Sequence, residues 1–313
     1  MNAVIPNQHA VVEGGLSWDL LIDQFLAAVR VKQSSKSTYK RQLRAFLRWA
    51  AERGQDPRWM NKKHIIAYVE YLEKDKGLSP YSVSGYLTAV RKFFAWMEEE
   101  SGGEVVNVAK TVEGAKKPHG FRKEVLTRAQ VRQVLGAIDR STLEGKRDYA
   151  LINLVVRTGL RTIEVARAKI GDLRQRDGAI ILEVQRKGHD TKDDLVVLTE
   201  EAVGPIYEYL AARGVHDDDA PLFASLSNRN RGQHMTTRSI SAVVKNRLRA
   251  VGLDTPRLTA HSLRHTAITL AVQGGASLHQ AQAMAGHRDP KTTMIYFHNT
   301  DRIEQAAEKR IAI

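Results

Sequence analysis

From Leu16 onward, apolar side chains return every three to four residues. Trp18, Leu21, Ile22, Phe25 and Val29 share one helical face, with Ser17 placed to cap the first turn. A second helix is expected over 36–53, ending at Gly54. Its apolar face is Tyr39, Leu43, Phe46, Leu47 and Ala50, and its other face carries Lys40, Arg41, Arg44 and Arg48. A third is expected over 63–76, through Ile65, Ile66, Val69, Tyr71 and Leu72. The fourth opens at Ser79-Pro80, a cap followed by a first-turn proline, and runs through Leu87, Val90, Phe93, Phe94 and Met97. Four helices in one stretch predict an all-helical domain over 16–105. Residues 1–15 are weakly patterned and are expected to be flexible.

The pattern then breaks. Ser101-Gly-Gly-Glu and Gly114-Ala-Lys-Lys-Pro-His-Gly-Phe-Arg-Lys123 are small, polar and basic, which predicts an interdomain linker over 106–124. Periodicity resumes near Val125. Thr127 followed by Gln130 is a capping-box pattern, and helices are expected at 128–139, 143–158 and 162–169. Ala179-Ile-Ile-Leu-Glu-Val-Gln and Leu195-Val-Val-Leu198 read as two strands joined by the polar turn Arg186–Asp194. The rest is expected to be mainly helical. The fold class is therefore mainly α with a small β-hairpin or sheet: a helical domain, then an α+β domain over 125–313.

Length agrees with two domains, since 313 residues is about twice a common domain size. No stretch approaches the ~20 apolar residues of a membrane span, and the N-terminus lacks a basic region followed by an apolar run. Without cysteine there are no disulfides, thiolate zinc sites or cysteine nucleophiles, which fits a cytoplasmic protein. Charge adds more. Lys plus Arg number 48 against 35 Asp plus Glu, a net +13, and the cations recur in both halves. Such a balance favours a polyanionic partner, nucleic acid first.

Five features of the second half matter together. Thr158-Gly-Leu-Arg161-Thr-Ile-Glu164 places an arginine where a helix begins. Lys187 sits beside Gly188 at the hairpin tip. His261-Ser-Leu-Arg264 spaces a histidine and an arginine three apart, on one helix face. Ala285-Gly-His287 puts a histidine after a glycine, and Tyr296 follows nine residues later. Singly, each is ordinary: a surface arginine, a turn lysine, a packed tyrosine. Their order and spacing are not.

That set resembles the tyrosine recombinase (phage integrase) family, of the two-domain Xer or Cre type. In that family Thr-Gly-Leu-Arg-x-x-Glu carries the first arginine, matching Arg161 and Glu164. The hairpin lysine matches Lys187, His-x-x-Arg matches His261 and Arg264, Leu-Gly-His matches His287 with alanine in place of leucine, and the tyrosine matches Tyr296. The lysine turn is longer than in many relatives and carries Asp193 and Asp194, which leaves Lys192 and Arg186 as alternatives to Lys187. The helical N-terminal half resembles the family's core-binding domain. Residues before Leu16 are too few for the arm-site domain of larger integrases.

The chemistry suits these residues. Phosphodiester attack builds negative charge on nonbridging oxygens, and without a metal that charge must be met by cationic side chains. Arg161 and Arg264 can each donate two parallel hydrogen bonds to a phosphate. Tyr296 is the expected nucleophile and needs its proton removed; His261 is the expected general base, Lys187 the general acid for the leaving oxygen, His287 a phosphate donor and Glu164 an orienting partner. The resemblance implies a 3′-phosphotyrosine intermediate, no cofactor and no metal. It also implies double-stranded DNA with inverted-repeat core sites, clamped between the two domains, and a homotetramer with C-terminal helix exchange. Ile303, Ala306, Ala307 and Ile311 form the stripe for that exchange. Expected DNA contacts are Lys40, Arg41, Arg44 and Arg48 in the first domain, Lys116, Lys117, Arg122 and Lys123 in the linker, and Arg231, Arg238 and Lys245 in the second. Three rivals stand beside this reading: a type IB topoisomerase-like enzyme, a catalytically silent DNA-binding regulator, and a metal-dependent nuclease using Asp217-Asp-Asp219.

Overall fold

The computed structural model describes residues 16–116, 124–304 and Ile311. The chain divides into two compact units, Met1–Gly120 and Phe121–Ile313.

The first unit contains α1 (Leu16–Ala28), α2 (Gln33–Ala51), α3 (Lys62–Glu70) and α4 (Pro80–Glu100). Helix α1 already includes Ser17, which is therefore a helical residue and not the cap the sequence suggested. Helix α2 opens three residues before the predicted start, from an extended Lys32. Helix α3 is closed by a π-turn, Tyr71–Asp75, in place of the longer regular helix expected. Ser79 caps α4 as expected, its side chain accepting from the Ser82 amide, with Pro80 in the first turn.

Aromatic rings dominate the core of this unit. Phe46 meets Tyr68 edge-on at 5.0 Å, and Phe25 meets Phe93 edge-on at 5.6 Å. Val105, Ala109 and Val112 are buried in the same core. Part of the segment read as linker thus packs here: Arg91 donates to the carbonyls of Ala109 and Val112 and pins it to α4.

The second unit is built around α6 (Leu143–Thr158), which is buried on most of its faces. Before it comes α5 (Arg128–Gly136), with the predicted capping box between Thr127 and Gln130. Helix α6 is capped by Thr142, whose side chain accepts from the Gly145 amide, and stops at Gly159 in the left-handed region, φ 67°. Then follow α7 (Thr162–Arg167), β1 (Leu173–Arg176), β2 (Ala179–Val184) and β3 (Asp194–Leu198), an antiparallel sheet in the order β1-β2-β3. Strand β1 was not foreseen, because Leu173-Arg-Gln-Arg offers a single apolar residue to any pattern. The register pairs Leu182 with Val196 and Ile180 with Leu198. Helices α8 (Glu200–Arg213), α9 (Thr237–Ala250), α10 (Ala260–Gln273), α11 (Leu278–Ala285) and α12 (Pro290–Glu304) complete the unit. Helices α8 and α10 pack directly on α6.

A buried ion cluster locks α6 to α9. Asp148, 1% exposed, accepts from Arg147 at 2.6 and 2.9 Å through one oxygen, and from Arg247 at 2.6 and 2.9 Å through the other. Removing its charge leaves the buried Arg147 guanidinium with the more distant, exposed Glu144 carboxylate, 3.8 Å away, as its counter-charge. Asp148→Asn should therefore lower unfolding stability by about 2 kcal/mol. A urea titration would show this as a reduced midpoint at unchanged slope.

Candidate active site

The end of α6 prepares the site. Gly159 reverses the chain and Leu160 anchors in the core, so Arg161 becomes the first residue before α7. Arg161 then folds back onto its own helix. Its amide donates to Glu164 Oε2 at 2.9 Å and its guanidinium donates to Glu164 Oε1 at 2.8 Å. The Glu164 side chain is fully buried and collects more donors. Arg186 reaches Oε2 at 3.4 Å, and the Lys187 amide points at Oε1 at 3.4 Å. One carboxylate thus ties α7 to the loop between β2 and β3.

Arg186 does structural work. It is 3% exposed, binds Asp194 at 2.6 Å, and donates to the Ala283 and Met284 carbonyls at the end of α11. A cation there meets the negative end of that helix. Gly286 follows at φ 59°, and a Cβ on it would come within 2.6 Å of Arg186 Nε. Conformation and space both require glycine at this turn. Lys192 is similarly committed, to Asp172 at 2.5 Å. Of the three basic residues that the sequence left in contention, Lys187 alone is exposed with its ammonium in no ion pair among the described residues.

Arg264 lies on α10 and is 2% exposed. Its guanidinium donates to Gly159 O at 2.5 Å and to Ala285 O at 2.7 Å. Arg161 reaches the next carbonyl, Gly286 O, at 3.4 Å. The two arginines, 103 positions apart in sequence, therefore converge on the Ala285-Gly286 turn. Burial and the neighbouring Arg161 pull the Arg264 pKa down to about 10, so it stays cationic at neutral pH.

His287 follows that turn. Its Nδ1 pairs with Thr293 Oγ1 at 2.9 Å, and its ring stacks on Tyr296 at 6.3 Å. Burial, then the charges of Arg264, Arg161 and Arg186, lower its pKa to about 4. The ring is neutral near pH 7. The folded state binds its proton near pH 4 and the unfolded chain near 6.5, so acid favours unfolding through this residue as pH falls below 6.5. Exchanging His287 for glutamine should reduce the stability lost between pH 6.5 and 4. The gain should be about 1 kcal/mol, less than the full shift implies because the ring is part-solvated. Thermal melts across that pH range would measure it.

Tyr296, on α12, is 3% exposed and packs among Ile268, Val272, Ala281 and Ala285. Burial pushes its phenol up to about 12, while Arg264 and Arg161 act in the opposite sense. Its hydroxyl is hydrogen-bonded to Nδ1 of His265. The sequence reading missed His265. The signal was present: His265 is one turn after His261, directly after Arg264. His261 is exposed, and its ring meets the His265 ring edge-on at 4.8 Å. On α10, His261 is thus exposed and Arg264, three positions on, is buried.

The expected DNA contacts fall in several settings. Arg41, Arg44 and Arg48 are exposed and Lys40 half-buried, together lining a groove on α2. Lys116, Arg231 and Arg238 are exposed. The Lys245 ammonium is taken up by Asp254 at 2.6 Å and by the Thr255 and Leu258 carbonyls, so its own loop claims it. Lys117, Arg122 and Lys123 lie outside the described residues, as do Ala306 and Ala307; Ile311 is exposed. In the acidic run, Asp219 binds Lys169 at 2.7 Å and Asp217 accepts from the Asp219 amide. No described helix is long and apolar enough to cross a membrane.

Known proteins resemble this chain in sequence and in fold. The profile of the Phage integrase family matches residues 95–302, and that of the Phage integrase N-terminal SAM-like domain matches residues 22–101 and 65–116. The chain is 30% identical to tyrosine recombinase XerD of Yersinia pestis over 291 residues, 91% of this chain and 95% of that protein. It is 28% identical to tyrosine recombinase XerD of Listeria innocua serovar 6a, covering 90% and 94%. In fold it matches XerH site-specific recombinase in a post-cleavage complex with palindromic difH substrate, with TM-score 0.74, 22% identity, and 98% of this chain and 90% of that one covered. It also matches the Tn1549 transposon integrase bound to transposon right end DNA, with TM-score 0.68, 18% identity, and 94% and 99% covered.

Proposed function

The chain belongs to the phage integrase family of tyrosine recombinases, and we propose that it breaks and rejoins duplex DNA at specific sites with Tyr296 as nucleophile. The observation that carries this is convergence: Arg161, Arg264, His287 and Tyr296 meet at the Ala285-Gly286 turn. Two guanidiniums gathered beside a phenol suit a phosphate.

In this reading Arg161 and Arg264 bind the nonbridging oxygens of the scissile phosphate. The Tyr296 oxygen attacks phosphorus, the P–O bond to the 5′-oxygen breaks, and Lys187 returns a proton to that oxygen. His287 donates to the phosphate as a neutral ring. Glu164 holds Arg161 and the root of the Lys187 loop. A 5′-hydroxyl of the partner strand then attacks the 3′-phosphotyrosine, releases the phenol and seals the strand. The ester keeps the bond energy, so neither ATP nor a metal is required.

The phenol proton has two acceptors to choose from. The resemblance assigns His261, whereas the hydrogen bond favours His265. His265→Phe should slow DNA cleavage about 100-fold. A single-turnover cleavage assay would measure it, and a variant that cleaves at the normal rate would return the role to His261.

The domains we propose are a helical DNA-binding domain over 16–105, a basic linker over 106–124 that carries Lys116, Lys117, Arg122 and Lys123 and whose first part packs in the helical core at Ala109 and Val112, and a catalytic domain over 125–313. The partner we propose is duplex DNA with inverted-repeat core sites, synapsed by a tetramer that exchanges C-terminal helices, in the cytoplasm. Arg231 and Arg238 remain proposed contacts, and Lys245 a weaker one given its internal partners. A topoisomerase-like activity is not favoured, because the relatives of nearly equal length carry recombinase names.

The test begins with a randomised duplex pool, from which retained DNA is sequenced to define a site. A nicked version of that site, from which the freed segment diffuses away, should trap a protein–DNA adduct stable to denaturant, with the DNA on the peptide containing Tyr296. Supercoil relaxation without recombinants on two-site plasmids would refute recombination.

A further inference from the structure

Helix α2 carries Lys36, Lys40, Arg41, Arg44 and Arg48 and no acid. Such a face has no internal neutralisation and invites an external polyanion. Yet it is not bare. Asp23 of α1 binds Lys40 at 2.6 Å, and Asp19 binds Arg44 at 2.8 Å. The acids stand four apart on α1 and the cations four apart on α2, so the two pairs form a matched ladder. Helix α1 contains no basic residue. The remaining cations of the groove, Arg41 and Arg48, are exposed and form no ion pair among the described residues, and the groove they share with Lys40, Arg44, Ser37 and Tyr86 has a volume of about 440 Å³.

We propose that Asp19 and Asp23 are an internal electrostatic screen over the DNA-contacting face of α2, lowering affinity for duplex of arbitrary sequence and so sharpening the choice of site. This rests on the duplex-binding reading above.

Phosphate contacts supply most of the sequence-independent affinity. A phosphate approaching Lys40 or Arg44 must first displace a carboxylate. All four side chains are between 32% and 53% exposed, so the pairs are weak enough to open. The hydrogen bond that Arg44 donates to Asp19 holds the Arg44 pKa above its ordinary value, in keeping with a guanidinium already satisfied. A site that adds base contacts outweighs the displacement, whereas random duplex does not.

The experiment is fluorescence anisotropy with a labelled random-sequence duplex of about 30 base pairs, over a salt series, using full-length protein. Asp19→Asn/Asp23→Asn should bind roughly 5- to 10-fold tighter near 0.1 M salt. Its log-affinity against log-salt slope should steepen by up to about 1.8, from two extra phosphate contacts at about 0.9 each. Asp23→Asn alone, which leaves the first turn of α1 intact, should give about half that change. Adding Lys40→Gln/Arg44→Gln to the double variant should remove the gain. Unchanged or weaker binding by the double variant, with wild-type protein still binding in a salt-dependent way, would overturn the screen alone. Absence of duplex binding by wild type and all variants would overturn the underlying reading as well.

Discussion

Tyr296→Phe protein will retain duplex DNA and form no covalent adduct, with strand cleavage reduced by about 10⁴-fold or more. The substitution takes away one oxygen and little else. The ring lies among Ile268, Val272, Ala281 and Ala285, an environment that accepts phenylalanine. The structural loss includes the hydrogen bond to His265, worth about 1 kcal/mol of stability. Binding should be unchanged, because the proposed cationic contacts are untouched. Two measurements separate the effects: a gel-shift titration, expected to match wild type, and a denaturing gel of trapped complexes, expected to lack the shifted band. A band of normal intensity in the variant would move the nucleophile to another residue and end the assignment.

That prediction depends on a side chain whose surroundings the sequence described only in part. Periodicity located α1 to α4 and α6 because their apolar faces repeat over many residues, and the Thr127–Gln130 box marked α5 because capping is local chemistry. Strand β1 was invisible because four residues with one apolar side chain match no template. The arginines and the tyrosine were legible through order and spacing, but their convergence was not. It depends on carbonyls at Gly159, Ala285 and Gly286, and backbone acceptors leave no trace in composition. The same limit hid the commitment of Arg186, Lys192 and Lys245 to internal partners. A basic residue in a polar loop reads as solvated until the fold supplies a carboxylate from elsewhere: Glu164, Asp172 or Asp254. The pairing of Lys40 and Arg44 with α1 belongs with these, since only packing sets the two helices in register.

Replacing Arg264 should be costly twice over, which distinguishes it from Arg161. In cleavage, Arg264→Ala removes one of two forked donors to the proposed phosphate, a loss of about 10²- to 10³-fold. In folding, it strips the Gly159 and Ala285 carbonyls of a buried partner and opens a space beneath α10, α6 and the turn after α11. Stranding buried carbonyls costs about 1–3 kcal/mol each, so a loss near 3 kcal/mol is expected. Arg161→Ala should match the kinetic defect at a smaller folding cost, because its side chain is 22% exposed and Glu164 keeps Arg186 as a partner. Lysine at position 264 restores charge but not the fork, so it should recover stability only in part and leave cleavage well below wild type. Chemical denaturation and single-turnover cleavage of the three variants together would test this. If Arg264→Ala melted like wild type, the guanidinium would not be clamping those carbonyls. If it then also cleaved DNA at the wild-type rate, the pair of arginines would not be holding the phosphate.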